Sequence, residues 1–186
     1  MAIEESGYDG LAKSLHWLVF ILLAVQFAVA WTMPDIGRDT KPETLINLHL
    51  SFGILIMAVV IFRLLARVLR PVPLVTANLP PWQRWIAYAT HHLLYVVLLI
   101  LPVLGWVTAS LRGWAVTPFG LFTLPKLIPA GTLLGYGAGP IGDWHGDLSY
   151  VLLGLVGLHV AAAFYHLIVV RDQVMQRMLP RRPPNL

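Results

Sequence analysis

The chain contains no cysteine, and only 12% of its 186 residues are charged. The first absence excludes disulfides, thiolate metal sites, iron-sulfur clusters and covalent haem attachment through a Cys-x-x-Cys-His motif. The second excludes an ordinary soluble domain, in which roughly a quarter of residues are charged. Apolar residues fill the space instead: 58% of the chain is hydrophobic and its mean hydropathy is +0.72, so lipid is the solvent for most of it. Thirteen Lys and Arg against nine Asp and Glu leave a net charge of +4. The basic residues collect at the ends of apolar runs, where they would meet anionic headgroups, so no nucleic-acid role is expected. The N-terminal stretch carries Glu4, Glu5 and Asp9 and has neither a basic region nor a small-residue cleavage site. It is not expected to be a cleaved signal peptide.

Four stretches, at about 15–33, 45–65, 86–110 and 148–170, are apolar and long enough to span a membrane. Crossing a hydrocarbon core about 30 Å thick takes roughly 20 helical residues. The expected fold is therefore an all-α integral membrane protein, a four-transmembrane-helix bundle forming a single membrane domain over 1–186. A short polar turn joins the first two spans. A Pro-rich, Arg-flanked connection joins the next two, with Trp82 and Trp85 as interfacial anchors. The third connection, 111–143, is too broken by Gly and Pro to span and too apolar for a free linker, and is expected to lie as a lid on one membrane face. If the N-terminus is cytoplasmic, Lys13, Arg63, Arg67, Arg70, Arg84, Arg171, Arg177, Arg181 and Arg182 lie inside and Arg38, Lys41, Arg112 and Lys126 outside. That excess of inner cations predicts cytoplasmic N- and C-termini and an outward-facing lid.

All seven histidines, at 16, 49, 91, 92, 145, 159 and 166, fall within or beside these spans. Ionisable groups at such depth usually face the bundle interior, because lipid offers them no hydrogen-bond partner. A single one could be a neutral imidazole bonded to a neighbouring carbonyl; their spacing suggests more. His145 and His159 are 14 residues apart, about 40° short of four full turns, so they share a face and stand roughly 21 Å apart along one helix. By depth, His16 on the first span belongs with His159, and His49 on the second with His145. Two histidine pairs at two levels suit bis-imidazole ligation of haem iron between facing helices. A zinc or copper site would instead need three or four ligands converging at one level.

Arg63 lies 14 residues after His49, on the same face and towards the level of His16 and His159. An inward guanidinium there would suit an anionic haem propionate, with snorkelling to the interface as the plainer alternative. His91, His92 and His166 remain; each could bond a propionate, line a quinone pocket, shuttle protons or serve an interfacial structural role. Gly53, Gly105, Gly154 and Gly157 would let a flat cofactor, or simply another helix, approach closely.

Five stretches carry a family resemblance: SLHWLVF at 14–20, LINLHLSFGI at 45–54, HHLLYVVLLILPVLGW at 91–106, WHGDLSYVLLGLVGLHVAAAFYH at 144–166 and QRMLPRR at 176–182. In this order they resemble the bacterial cytochrome b561 family, of one superfamily with the cytochrome b subunits of formate dehydrogenase and nickel-iron hydrogenase. The segment 127–142 departs most from that pattern. The resemblance implies two b-type haems, with the fourth helix giving one ligand to each and the first and second helices giving the others: His16 with His159, and His49 with His145. It also implies a bacterial inner-membrane location and an oxidoreductase passing electrons between a periplasmic donor, superoxide or a redox protein, and ubiquinone. A second expectation is a membrane anchor and electron acceptor for a separate dehydrogenase or hydrogenase. If superoxide is the donor, Lys126, Arg112, Arg38 and Lys41 could steer the anion.

Overall fold

The computed structural model describes residues 8–70 and 80–179. Within them four helices are long and apolar enough to cross a membrane: α1 (Gly10–Thr32), α2 (Thr44–Leu69), α3 (Pro81–Leu111) and α4 (Ala138–Tyr165). All four start earlier than their apolar runs, because polar and turn-forming residues build their first turns. At α1 the Asp9 carboxylate accepts the Ala12 N–H at 2.8 Å, capping donors that the helix itself cannot satisfy. Met33 precedes Pro34 and is extended, which ends α1. Pro81 opens α3 at a position where its missing N–H costs nothing.

At the far end of α3, Gly113 at φ +76 closes a Schellman turn. Gly113 N–H bonds the Ser110 carbonyl and Trp114 N–H that of Ala109, both at 2.9 Å. The largest departure from the hydropathy reading is α4, which starts at 138 rather than near 148. The lid is correspondingly shorter than 111–143. Gly139, Pro140 and Gly142 argue for loop by propensity, yet Pro140 occupies the first turn, where backbone N–H groups have no helical partner to lose.

Helix α1 packs on α2, α2 on α3 and α3 on α4. Mid-bundle, Val19, Leu22, Leu23, Ile56, Val60, Val97, Leu98 and Leu152 form the buried core. The two helix pairs that face each other through histidines, α1 with α4 and α2 with α4, make little backbone contact. Space is left on the side chains that matter for the site.

The lid is tied down rather than loose. The Phe119 N–H donates to Ser51 Oγ on α2 (2.9 Å), and the Phe119 ring meets Phe52 edge to face at 5.4 Å. The Leu127 N–H donates to Ser110 Oγ at 3.1 Å, and the Trp106 indole to the Pro125 carbonyl at 3.2 Å. Arg112 donates to the Gly37 carbonyl at 2.8 Å, linking the lid to the α1–α2 turn. A two-residue hairpin, β1 (Thr132–Leu133) with β2 (Tyr136–Gly137), delivers the chain into α4.

At the opposite end, Asp9 bonds Arg70, so the start of α1 meets the end of α2. After α4 the chain makes one wide turn (His166–Val170) and crosses to α1. There the Trp17 indole donates to the Met178 carbonyl and Lys13 to that of Leu179, both at 2.9 Å. Residues 71–79 of the Pro-rich connection, and Glu4, Glu5, Arg181 and Arg182 near the termini, lie outside the described residues.

Candidate cofactor site

Two histidine pairs face each other across the bundle. On the side of the chain termini, the His16 and His159 rings are 6.0 Å apart, centre to centre, at 69°. On the lid side, His49 and His145 are 5.9 Å apart at 77°. Metal–imidazole bonds of about 2 Å, taken with the radius of each ring, place two rings on opposite sides of one metal about 6 Å apart. Both pairs therefore have the spacing of axial ligands. Within the described residues no three His, Asp or Glu side chains converge as a metal-ion site, so the arrangement is one of pairs and does not suit tetrahedral zinc.

On the lid side, His145 Nδ1 lies 2.9 Å from the Leu101 carbonyl of α3. A carbonyl can only accept, so Nδ1 carries the proton and Nε2 presents a lone pair, the tautomer a metal ligand needs. The ring fits because position 105 is glycine: a Cβ there would stand 3.2 Å from His145 Cε1. Both histidines line a cavity of about 230 Å³, with Phe27, Gly53, Leu101, Trp106 and, from the lid, Val116 among its other walls. Such a volume far exceeds the 10–15 Å³ or so that one water needs, and its mostly apolar walls suit a large flat apolar group.

On the terminus side a third histidine flanks one member of the pair. His91 stacks edge to face on His159 at 5.1 Å, and its Nδ1 is 2.6 Å from the Ala87 carbonyl. Its neighbour His92 turns away, with Nδ1 on the Tyr88 carbonyl at 2.7 Å. Arg63 faces into the bundle, donating to the Tyr95 hydroxyl at 3.0 Å and to the Ala12 carbonyl at 3.3 Å. Snorkelling does not describe it. His166 stands apart from the pairs: Nδ1 bonds Asp172 at 2.6 Å, and the same carboxylate caps the Val174 N–H at 3.0 Å.

Three participants escaped the sequence reading. Tyr95 and Asp172 are ordinary residues whose roles come from their partners, Arg63 and His166. Gln26 gave a signal that could have been used, since it is a lone amide inside the apolar run FILLAVQFAVA. The spacing of His91 and Gly105, again 14 residues, likewise marked a shared face on α3. Of the four glycines singled out in the sequence, Gly105 meets His145, and Gly53 lies against Gln26, where a Cβ would be 3.7 Å from Nε2; Gly154 and Gly157 face open space.

A model of the prokaryotic cytochrome b561 family matches residues 7–181. The chain is 27% identical over 179 residues to a protein of Yersinia pestis named "Probable superoxide oxidase", covering 94% of this chain and 97% of that one. It is 29% identical over 174 residues to a cytochrome b561 homologue of Escherichia coli, covering 92% and 90%. It is 24% identical over 185 residues to a cytochrome b562 of Cereibacter sphaeroides, covering 96% and 99%.

Proposed function

The chain belongs to the prokaryotic cytochrome b561 family, and we propose on that premise that it is a quinone-linked oxidoreductase holding two haems b. His16 and His159 would hold one haem on the terminus side, and His49 and His145 the other on the lid side. Haem supplies a one-electron couple, and the protein sets its ligands, burial and access. The observation that supports this most directly is the repeated spacing of about 6 Å between paired rings at two levels of one helix.

The other polar groups divide by level. Arg63 and His91 stand beside the terminus-side pair and are suited to hold a propionate. His166, with Nδ1 fixed by Asp172, is suited to line a ubiquinone pocket on that side and to move a proton at Nε2. The lid faces the periplasm, where the donor, superoxide or a redox protein, delivers its electron; the termini face the cytoplasm of a bacterial inner membrane. The lid end carries Arg38, Lys41, Arg112 and Lys126 against Asp35, Asp39, Glu43, Asp143 and Asp147. With four cations against five carboxylates there, steering of a superoxide anion would come from the placement of Arg112 and Lys126 rather than from net charge.

The test is an absorption spectrum and haem count on the detergent-purified chain, with His159→Ala and His49→Ala alongside. Two haems per chain are expected. His159→Ala loses the terminus-side haem and His49→Ala the lid-side one. Retention of both haems in either variant refutes the ligand assignment, and their absence from the parent chain refutes the function.

A further inference from the structure

Helix α1 supplies no ligand to the lid-side pair, yet it places one polar side chain beside it. Gln26 lies ten residues beyond His16 in an otherwise apolar run, at a depth where an amide without partners costs several kcal/mol, roughly. Its Nε2 donates to the His49 backbone carbonyl at 3.1 Å and is 3.3 Å from the ring nitrogen Nε2 of the same residue. Among the described residues, two buried atoms in this contact lack any hydrogen-bond partner: Gln26 Oε1 and His49 Nδ1.

Those two atoms complement each other. An amide oxygen only accepts. An imidazole that presents Nε2 as a lone pair carries its proton on Nδ1, which then must donate. The facing histidine already has this arrangement, because His145 Nδ1 is satisfied by the Leu101 carbonyl. His49 Nδ1 has no such acceptor, and the Gln26 amide, which touches the ring at Nε2, carries the unpartnered oxygen that a turn of its end would bring towards Nδ1. Metal-bound imidazoles generally donate their second N–H in this way, which sets the tautomer and raises the basicity of the ligand.

Resting on the di-haem reading, we propose that Gln26 is the positioning residue of the lid-side site: where the ring Nε2 would serve iron, the amide N–H keeps the His49 backbone carbonyl and Oε1 turns to accept the proton on His49 Nδ1. Loss of that acceptor makes His49 a poorer electron donor to iron and favours the reduced state. Gln26→Leu keeps the approximate shape and removes the amide, whereas Gln26→Glu keeps an acceptor and strengthens it.

The experiment is a redox titration of both haems in the intact, detergent-purified chain. In Gln26→Leu the lid-side reduction equilibrium should move about tenfold towards the reduced form, a rise of about 59 mV for one electron, with the terminus-side haem unchanged. Gln26→Glu should move the lid-side haem the other way. Two bound haems with an unmoved lid-side potential in Gln26→Leu, or an equal shift of both haems, overturns the proposal. If Gln26→Leu instead drops the lid-side haem alone, its return in Gln26→Glu supports the proposal and its continued absence counts against it. A parent chain without haem would remove the di-haem reading itself, a failure visible before any variant is made.

Discussion

Replacing Gly105 with valine tests the lid-side geometry without touching a ligand. A Cβ at 105 would stand 3.2 Å from His145 Cε1 and 3.4 Å from Nδ1. Carbon contacts settle near 3.5–4.0 Å, so the ring must retreat by about 0.3–0.8 Å before the two γ-methyls are counted. It cannot retreat freely, since its Nδ1 is bonded to Leu101 on the same helix as the intruding side chain. Removing glycine from a helix interior returns about 0.3 kcal/mol when the replacement is β-branched, as the propensity scale runs. Overpacking a filled site costs about 1–3 kcal/mol. Crowding therefore wins by about 0.7–2.7 kcal/mol, and about 1.4 kcal/mol is tenfold in an equilibrium. The expected result is a roughly tenfold weaker hold on the lid-side haem, with the terminus-side haem and helix content intact, read by haem stoichiometry during titration with free haem. A Gly105→Val chain that keeps lid-side affinity, or loses the other haem, would falsify the contact and with it the seating of His145.

Ser51→Ala removes the acceptor of the Phe119 N–H, a loss of about 1 kcal/mol; amide exchange at Phe119 should quicken about fivefold, and unchanged exchange would show that the lid is held elsewhere. Leu134 sits at the hairpin tip with φ +52 and is 90% exposed, so a β-hairpin turn there wants Asn before Gly135. Leu134→Asn should slow exchange at the hairpin amides by relieving about 1 kcal/mol of backbone strain; faster exchange would mean that the leucine side chain contributes a contact. Asp9, outside the membrane spans, is held below the ordinary carboxylate value of 3.8, first by the Ala12 N–H and then by Arg70. A depressed pKa adds stability above the unfolded value and loses it as pH falls through the folded one. Protection of the first turn of α1 should therefore be flat near neutrality and fall only in acid below the ordinary carboxylate range; a loss near pH 6 would implicate another group.

Legibility differed between helices and between kinds of residue. The apolar runs located all four helices because desolvation in lipid tolerates few alternatives to a continuous helix. Their ends were less visible: α4 reaches back over Gly139 and Pro140, whose loop-like propensities carry little weight in a first turn whose N–H groups have no helical acceptor. Position along a helix was readable as depth, which is why His16 was matched in level with His159 and His49 with His145. Position around the bundle was not fully readable on α3, where His91 and His92 are 100° apart and only one can turn towards the other helices.

The amino-acid sequence alone determined what a single helix can express: how long each span is, which side chains share a face, and how far apart His145 and His159 stand on α4. Helical geometry sets those relations within one segment, whatever surrounds it. Only the tertiary structure decided how the helices are rotated against each other. On α3 it is His91 that comes to face His159, the Ser51 and Ser110 hydroxyls seat the lid, and a lone amide on α1 comes to rest against His49. Such contacts arise between segments far apart in the chain, and no periodicity along it encodes the angle at which two helices meet.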